Sequence, residues 1–248
     1  MEGISATVIT LNEEANIERC LNSLIGLADE IIVVDSGSTD NTVEICKRYG
    51  CQVITRPFAG YGLQRQYATS LTKHNYVLAL DADEALDEQL HNAIKEIKAK
   101  GFEHRVYAMH SQTYTLGHPV HITHRVSRPI RLFNKRYAQW NLEDVDEKIA
   151  FPGALKPEVL PGTILHYRCN SLKEMYKKEM HLSRLFAAKH VALNGVPSLP
   201  QIWYKTAKLY MSVLLAERNI LDGAIGRQIA KAKASTLYRA LREIRANQ

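Results

Sequence analysis

Apolar strand-like segments alternate with helical segments through the first 80 residues, and this alternation constrains the fold more than any other feature. Four short runs, rich in β-branched and other apolar residues, read as strands: 5–10, 30–34, 51–54 and 76–80. Helical segments lie between them, at 15–24, 42–49 and within 60–71. Strands joined by helices at this spacing form a parallel sheet covered on both faces. The sequence therefore predicts an α/β fold.

The second half of the chain has a looser pattern. Strand-like runs recur at 106–114, 131–133 and 163–167, and the chain is helical from 171 onward, with interruptions at 194–197 and 199–200. A chain of 248 residues can bury one large core and a smaller appendage. We predict two domains, an α/β domain over 1–167 and a basic helical region over 168–248.

Charge is distributed unevenly between these two parts. Residues 168–248 contain 15 Lys and Arg against 5 Asp and Glu, whereas residues 1–167 contain 17 against 21. A basic tail on a mildly acidic body indicates an anionic partner, either nucleic acid or a membrane surface. No nucleic-acid-binding motif accompanies the charge, and aromatic residues do not interleave with it as in a stacking platform. We therefore predict no nucleic-acid partner.

The last helical segment leaves two interpretations open. Apolar residues follow one side of it: Ile225, Ile229, Ala232, Leu237, Leu241 and Ile244. Basic residues lie on or near the opposite side: Arg227, Lys231, Arg242 and Arg245. Such a helix either packs its apolar side on a domain or lies on a membrane surface.

The cysteines and the N-terminal segment bear on the cellular compartment. The four cysteines show no CxxC spacing, which favours free thiols in a reducing compartment over disulfides or zinc. The first residues lack the pattern of a signal peptide, and no apolar run approaches the ~20 residues that span a bilayer. We expect a cytoplasmic protein.

Two carboxylates, Asp81 and Asp83, directly follow the apolar run 76–80. A buried strand delivers them to its carboxyl end, where open α/β sheets bind their ligands. Two hard oxygen ligands suit a divalent cation such as Mg²⁺ or Mn²⁺ that also holds a diphosphate. The alternative is a strand followed by a helix whose first turn is acidic.

Polar acceptors also follow the first two strands. Asn12 and Glu13 come after the first strand, and Asp35 ends the second strand ahead of a flexible turn. A carboxylate at that place can accept hydrogen bonds from a base or from ribose hydroxyls. The alternative is capping of the next helix, for which the candidates are Ser38, Thr39 and Asp40. Three polar strand ends would meet at one edge of the sheet, which capping alone does not explain.

Three segments, 10–14, 34–40 and 80–84, together resemble the N-terminal domain of glycosyltransferase family 2. The resemblance implies the GT-A fold, a Rossmann-like and mainly parallel sheet with helices on both faces, here with a C-terminal helical extension. Further segments resemble the subgroup of lipopolysaccharide inner-core β-glucosyltransferases: 57–66, 142–147, 165–167 and 220–226. The chain departs from that subgroup at Gln66, where Asn is frequent, and at Asp146, where His is frequent.

The resemblance implies roles for the motif residues. Asp83, with Asp81 beside it, would hold Mg²⁺ or Mn²⁺ against the diphosphate of the donor. Arg65 would pair with a phosphate. His166 would be a further metal ligand or a phosphate contact, and the alternative is a buried histidine with a satisfied ring. The remaining residues implied in nucleotide-sugar binding are Thr10, Asn12, Glu13, Asp35, Gln64 and again Asp81.

Glu147 would be the general base of an inverting transfer, with Asp144 as the second candidate. The alternative for Glu147 is a surface acid in an acidic stretch. The resemblance implies transfer of a hexose, glucose in that subgroup, from a UDP-sugar to a hydroxyl of a lipopolysaccharide core or another lipid-linked glycan. The basic tail would then bind the anionic inner face of the cytoplasmic membrane peripherally.

Three other functions remain open at this point. A family 2 enzyme that acts on polyprenyl phosphate or on a capsule precursor would share all motifs up to Asp83. A non-catalytic protein that binds a sugar nucleotide would bind it without turnover. A sugar nucleotidyltransferase needs a glycine-rich N-terminal loop with a basic residue, which 9–12 lacks.

Overall fold

The computed structural model describes residues 2–120, 128–142, 147–216 and 219–247. The chain forms two compact units. The first unit consists of Met1–Gln112 and Val126–His166, and the second consists of Thr113–Arg125 and Tyr167–Gln248. The division into domains between residues 167 and 168 stays a prediction.

Strands and helices alternate up to residue 81, as predicted. The elements are β1 Ile4–Thr10, α1 Ile17–Asn22, β2 Glu30–Asp35, α2 Thr42–Arg48, β3 Gln52–Thr55, α3 Tyr61–Ser70 and β4 Tyr76–Asp81. The elements that follow are β5 Glu84–Leu86, α4 Glu88–Lys100, β6 Val106–Thr115, β7 His118–Pro119, β8 Ile130–Asn134, β9 Gln139–Trp140, β10 Ile149–Ala150 and β11 Glu158–Cys169.

The main sheet has a parallel half and an antiparallel half. Its strand order is β3-β2-β1-β4-β8-β6-β11-β5, with β7 paired to β6. The pairs β2–β3, β1–β2 and β1–β4 are parallel, whereas β4–β8, β6–β8 and β5–β11 are antiparallel. The parallel half confirms the predicted α/β class. Its register aligns Thr10 with Asp35 and Ile9 with Asp81, so the polar strand ends do meet at one edge.

Helices cover both faces of the parallel half. Side chains alternate between the two faces along each strand, so each strand contacts helices on both sides. On one face, Val8 of β1 belongs to a cluster with residues of α1, α2 and α4 such as Leu21 and Leu90. On the other face, Val34 of β2 packs with Ala68 of α3. Burial on both faces explains why these strands read as continuous apolar runs.

The second unit contains three long helices. These are α5 Leu172–Asn194, α6 Leu199–Met211 and α7 Gly223–Ala246; a π-helical turn, Ser212–Ala216, and a 3-10 turn, Asn219–Asp222, lie between α6 and α7. The apolar side of α7 is buried within the unit at Ile229, Ala232, Leu237 and Leu241. Of the two interpretations for this helix, the packed one is therefore correct, and the membrane-surface one is wrong. Within the described residues, no helix is long and apolar enough to cross a membrane.

Candidate functional site

Asp35 organises the loop that follows β2. Its buried carboxylate accepts hydrogen bonds from the backbone N–H groups of Gly37 and Ser38 (both 2.9 Å) and from Oγ of Ser38 (2.5 Å). Asp35 does not fill the alternative role of capping the next helix: the N-cap residue of α2 is Asn41, which makes no side-chain capping bond, and it is Asp40 whose Oδ1 accepts from the backbone N–H of Thr42 at the start of α2 (3.0 Å). An ionised carboxylate has about four acceptor positions, so Asp35 retains capacity for a ligand.

Asn12 and Glu13 connect the first loop to its surroundings. Asn12 has a positive φ of 54°, and its Oδ1 accepts from the backbone N–H of Thr39 (2.8 Å) while its own N–H donates to Oγ of Ser38 (2.8 Å). Oε2 of Glu13 accepts from Nδ2 of Asn16 (2.7 Å). Both side chains thus fix loops at the edge of the sheet, and their contact with a nucleotide stays a prediction.

Two buried acceptors close to these loops have no hydrogen-bond partner among the described residues. They are Oγ1 of Thr10, at the end of β1, and Oε1 of Gln64, on α3. The amide nitrogen of Gln64 donates to Oγ of Ser36 (3.1 Å), which places this side chain against the β2 loop. An unsatisfied buried polar group costs about 1–3 kcal/mol, so its presence favours a ligand or a water molecule that completes it.

Arg65 joins two carboxylates in the interior of the first unit. Its Nη2 lies 2.7 Å from Oδ2 of Asp81 and 3.1 Å from Oε1 of Glu147. Its guanidinium also lies over the ring of Trp140, 4.9 Å from the centroid. Arg65 was predicted to bind phosphate, and the structure pairs Nη2 with protein acids instead. Its Nε and Nη1 have no partner within the described part of the chain, so the phosphate contact stays a prediction for these atoms.

Sequence reasoning missed two members of the same group, Arg131 and Glu84. Nη2 of Arg131 lies 2.8 Å from Oε1 of Glu84 and 3.6 Å from Oδ2 of Asp81. Burial alone would lower the pKa of Arg131, but Glu84 and Asp81 raise it above its ordinary value. The available signal was an arginine inside an otherwise apolar strand. We call Arg65, Asp81, Glu84, Arg131 and Glu147 the arginine–carboxylate cluster.

Gln66, one of the departures from the subgroup, has a structural contact. Its Oε1 accepts a hydrogen bond from the backbone N–H of Trp140 (3.1 Å) and so holds β9 against α3. The ring of Trp140 is buried beside Arg65 and, at 5.9 Å, Arg131. The second departure, Asp146, and the second base candidate, Asp144, lie outside the described residues.

Asp83 lies in the turn between β4 and β5, next to His166. Nε2 of His166 is 3.4 Å from Oδ2 of Asp83, and β11 places His166 opposite Glu84 of β5. Burial would lower the pKa of His166, but its hydrogen bond to Asp83 and the Asp83 charge raise it above its ordinary value. The alternative, that Asp81 and Asp83 belong to the acidic N-terminus of the next helix, is wrong, since α4 begins only at Glu88, after the capping residue Asp87.

The residues around Asp83 fit a divalent cation that a substrate helps to hold. Within the described ranges, no three His, Cys, Asp or Glu side chains form a metal-binding group. Mg²⁺ commonly takes only one or two carboxylates, with waters and substrate phosphates as its other ligands. Asp83 supplies one such carboxylate, and the ring nitrogen Nε2 of His166 lies beside it. Oδ1 of Asp81, two residues earlier at the end of β4, is a second carboxylate oxygen that is buried and without a partner among the described residues.

Several known proteins are similar to this chain in sequence. Residues 5–152 match the family model described as glycosyl transferase family 2. An uncharacterized glycosyltransferase of Rickettsia typhi is 35% identical, over 72% of this chain and 64% of that protein. The lipopolysaccharide core biosynthesis glycosyltransferase LpsC of Rhizobium meliloti is 30% identical, over 76% of this chain and 72% of that protein.

One similar solved structure is that of glucosyl-3-phosphoglycerate synthase of Mycobacterium tuberculosis, in complex with Mn²⁺, UDP and glucosyl-3-phosphoglycerate. Its sequence is 27% identical to this chain. That likeness covers 46% of this chain and 44% of the other, at a TM-score of 0.37. The chain also spans only about half to two thirds of the length of its rickettsial relatives, with values from 48% to 64%.

Proposed function

The chain belongs to glycosyl transferase family 2, and we propose that it moves a hexose, glucose, from a UDP-sugar to a hydroxyl of a lipopolysaccharide core or another lipid-linked glycan, with inversion. The observation that carries this proposal is the group of buried acceptors at one edge of the sheet, on Thr10, Gln64 and Asp81. A nucleotide sugar brings hydroxyl and N–H donors to such acceptors. The relative named for lipopolysaccharide core biosynthesis supports the acceptor class.

On the donor side, we assign the metal to Asp83 and His166, with Asp81 beside them. A bound Mg²⁺ or Mn²⁺ would neutralise the charge that develops on the diphosphate leaving group. Asp35, Thr10 and Gln64 bind the nucleoside part in this proposal, with Asn12 and Glu13 in the adjoining loop.

On the acceptor side, Glu147 takes the proton from the attacking hydroxyl. Its carboxylate is held by Arg65, which also holds Asp81. In the proposed reaction, one guanidinium therefore positions the base relative to the donor-side carboxylate. This shared contact supports Glu147 as a site residue over the alternative of a surface acid, since its side chain is only 17% exposed.

We also propose that the acceptor is met at an anionic membrane surface. The excess of basic residues over 168–248 supports peripheral binding there, because Lys and Arg near an anionic leaflet contribute ~1 kcal/mol each.

The proposal is tested with a panel of nucleotide sugars and Mn²⁺, in which slow hydrolysis without acceptor identifies the donor. We expect UDP-glucose to be hydrolysed and EDTA to stop the reaction. Transfer is then compared between lipopolysaccharide core fragments and polyprenyl phosphate. Turnover with polyprenyl phosphate alone would overturn the acceptor class, and binding without hydrolysis of any donor would indicate a non-catalytic protein.

A further inference from the structure

The second unit contains a groove between α5 and α6 whose floor is α7. Leu237 and Leu241 of α7 form the floor, Leu182 and Phe186 line the α5 side, and Leu209 lines the α6 side. The cavity has a volume of about 390 Å³. We propose that this α5–α6 groove docks the protein on a bilayer by taking up an anionic lipid.

The apolar surface beside the groove is unusually exposed. In the C-terminal half of α5, four exposed apolar residues are separated by three, four or seven positions and share one side of the helix: Leu182 and Leu185, Leu182 and Phe186, and Phe186 and Leu193. Phe186 is 61% exposed and Leu193 is 74% exposed. Exposed apolar stripes of this kind mark surfaces that contact a partner or a membrane. The apolar side of α7, in contrast, is covered by its own unit.

The charge of the groove specifies the headgroup. Lys205, Lys208 and Lys233 line it, and Glu179, the acidic residue among its described lining residues, is paired with Arg168. An apolar cavity with an excess of positive charge complements an amphiphile whose headgroup is negative. Trp203 and Tyr204 on α6, 63% and 68% exposed, are of the type that concentrates at the headgroup level of membranes.

A second copy of the chain fits this groove less well. A symmetric dimer would bring the same surface of both copies together, and lysines would then face lysines. Nucleic acid would match the lysines but would leave the apolar floor and the exposed stripe of α5 unused. A lipid uses both features at once.

This inference rests on the proposed membrane association and locates it at the groove, where the proposed function attributed it to the basic residues of 168–248 as a whole. It predicts which substitutions weaken vesicle binding. Leu182→Ser with Phe186→Ser should weaken binding to phosphatidylglycerol-containing vesicles by about tenfold or more, because apolar area is lost. Lys205→Gln with Lys208→Gln should weaken it by about 30-fold, and only on anionic vesicles.

Two matched controls test the location. Ile25→Ser removes an apolar side chain of similar exposure, 58%, from the first unit. Arg227→Gln with Lys231→Gln removes two exposed charges from α7. We expect sedimentation with vesicles to be unchanged in both controls, and hydrolysis of free UDP-sugar to be unchanged in every variant.

Three results would overturn the inference. The first is loss of vesicle binding in the α7 charge variant but not in the groove variants. The second is that the wild type does not bind vesicles. The third is a wild-type dimer in ultracentrifugation that is absent only in the groove variants. If the wild type hydrolyses a UDP-sugar but does not bind vesicles, the groove inference and its membrane premise are wrong and the transferase proposal still holds.

If the wild type binds vesicles but hydrolyses no UDP-sugar, the transferase proposal is wrong and the groove inference still holds.

Discussion

Arg65 connects the two carboxylates on which the proposed chemistry depends. The sequence identified it as a cationic residue of a family motif, but its partners Asp81 and Glu147 lie 16 and 82 positions away along the chain. Periodicity and motif spacing do not report such distant contacts. Lysine would not reproduce all of these contacts, because an ammonium could reach both acids as Nη2 does but would lack the planar guanidinium that lies over Trp140.

Replacement of Glu147 tests the base. Glu147→Gln should lower turnover about 10²–10⁴-fold, because general-base help is lost. The donor KM should change little, since the lost interaction belongs to the transition state. Steady-state kinetics with UDP-sugar and acceptor measure both. Asp144→Asn is the control, and the assignment is wrong if that variant loses turnover while Glu147→Gln keeps it.

Glu30 makes the stability of the sheet pH-dependent. Its Oε1 accepts hydrogen bonds from Oγ of Ser5 (2.5 Å) and from the backbone N–H of Lys73 (2.6 Å). Burial raises the pKa of Glu30, but these bonds outweigh it and hold the pKa below its ordinary 4.5. A carboxyl whose pKa is lowered by folding stabilises the protein above pH 4.5 and loses that contribution as the pH falls through the folded pKa.

Glu30→Gln should therefore lower the free energy of unfolding by about 1.5–3 kcal/mol near neutral pH. The difference from the wild type should shrink below pH 4.5, where the wild-type carboxyl also becomes neutral. Urea unfolding across this pH range measures it. A difference that stays constant with pH would show that the charge of Glu30 has no part in the effect.

At the scale of elements, segments with a strong period were predictable and short segments were not. The four parallel strands were predicted because burial on both faces leaves an apolar run. The strands β5, β9 and β10 have two or three residues each, and their conformation is set by the partner strand rather than by their own sequence. Helix α4 was not predicted from the sequence, although Leu90, Ile94 and Ile97 follow the spacing of a helix and therefore indicate one.

The entry into α7 depends on a close backbone approach at Gly226. A Cβ at this position would lie 1.7 Å from the carbonyl oxygen of Asn219 in the preceding 3-10 turn. Asn219 is buried, and its Nδ2 donates to the carbonyl of Val213 (2.9 Å), so the turn cannot shift freely. This contact is a physical reason for glycine in the segment 220–226.

Gly226→Ala should accordingly destabilise the protein by about 1–3 kcal/mol or more, as overpacking does. Gly153→Ala, with open space around its Cβ, is the matched control and should change little. Urea unfolding of both variants gives the comparison. Equal stability of Gly226→Ala and the wild type would contradict the close approach.

At the scale of the whole molecule, the sequence identified the family and the fold class, and both are confirmed. The family match covers residues 5–152, and the segments 10–14, 34–40 and 80–84 lie at or beyond the ends of the parallel strands β1, β2 and β4. The composition of the second unit was not predictable. Thr113–Arg125 belongs to it together with Tyr167–Gln248, and a local pattern does not show which distant segments share a core.

The proposed transfer depends on Asp83 holding a divalent cation against the donor diphosphate. Calorimetry of UDP-glucose binding, with Mn²⁺ and with EDTA, measures this dependence in the wild type and in Asp83→Asn. We expect metal-dependent binding by the wild type and loss of that dependence in Asp83→Asn, with an unchanged circular dichroism spectrum. Binding of equal affinity in both proteins, with or without EDTA, would contradict it.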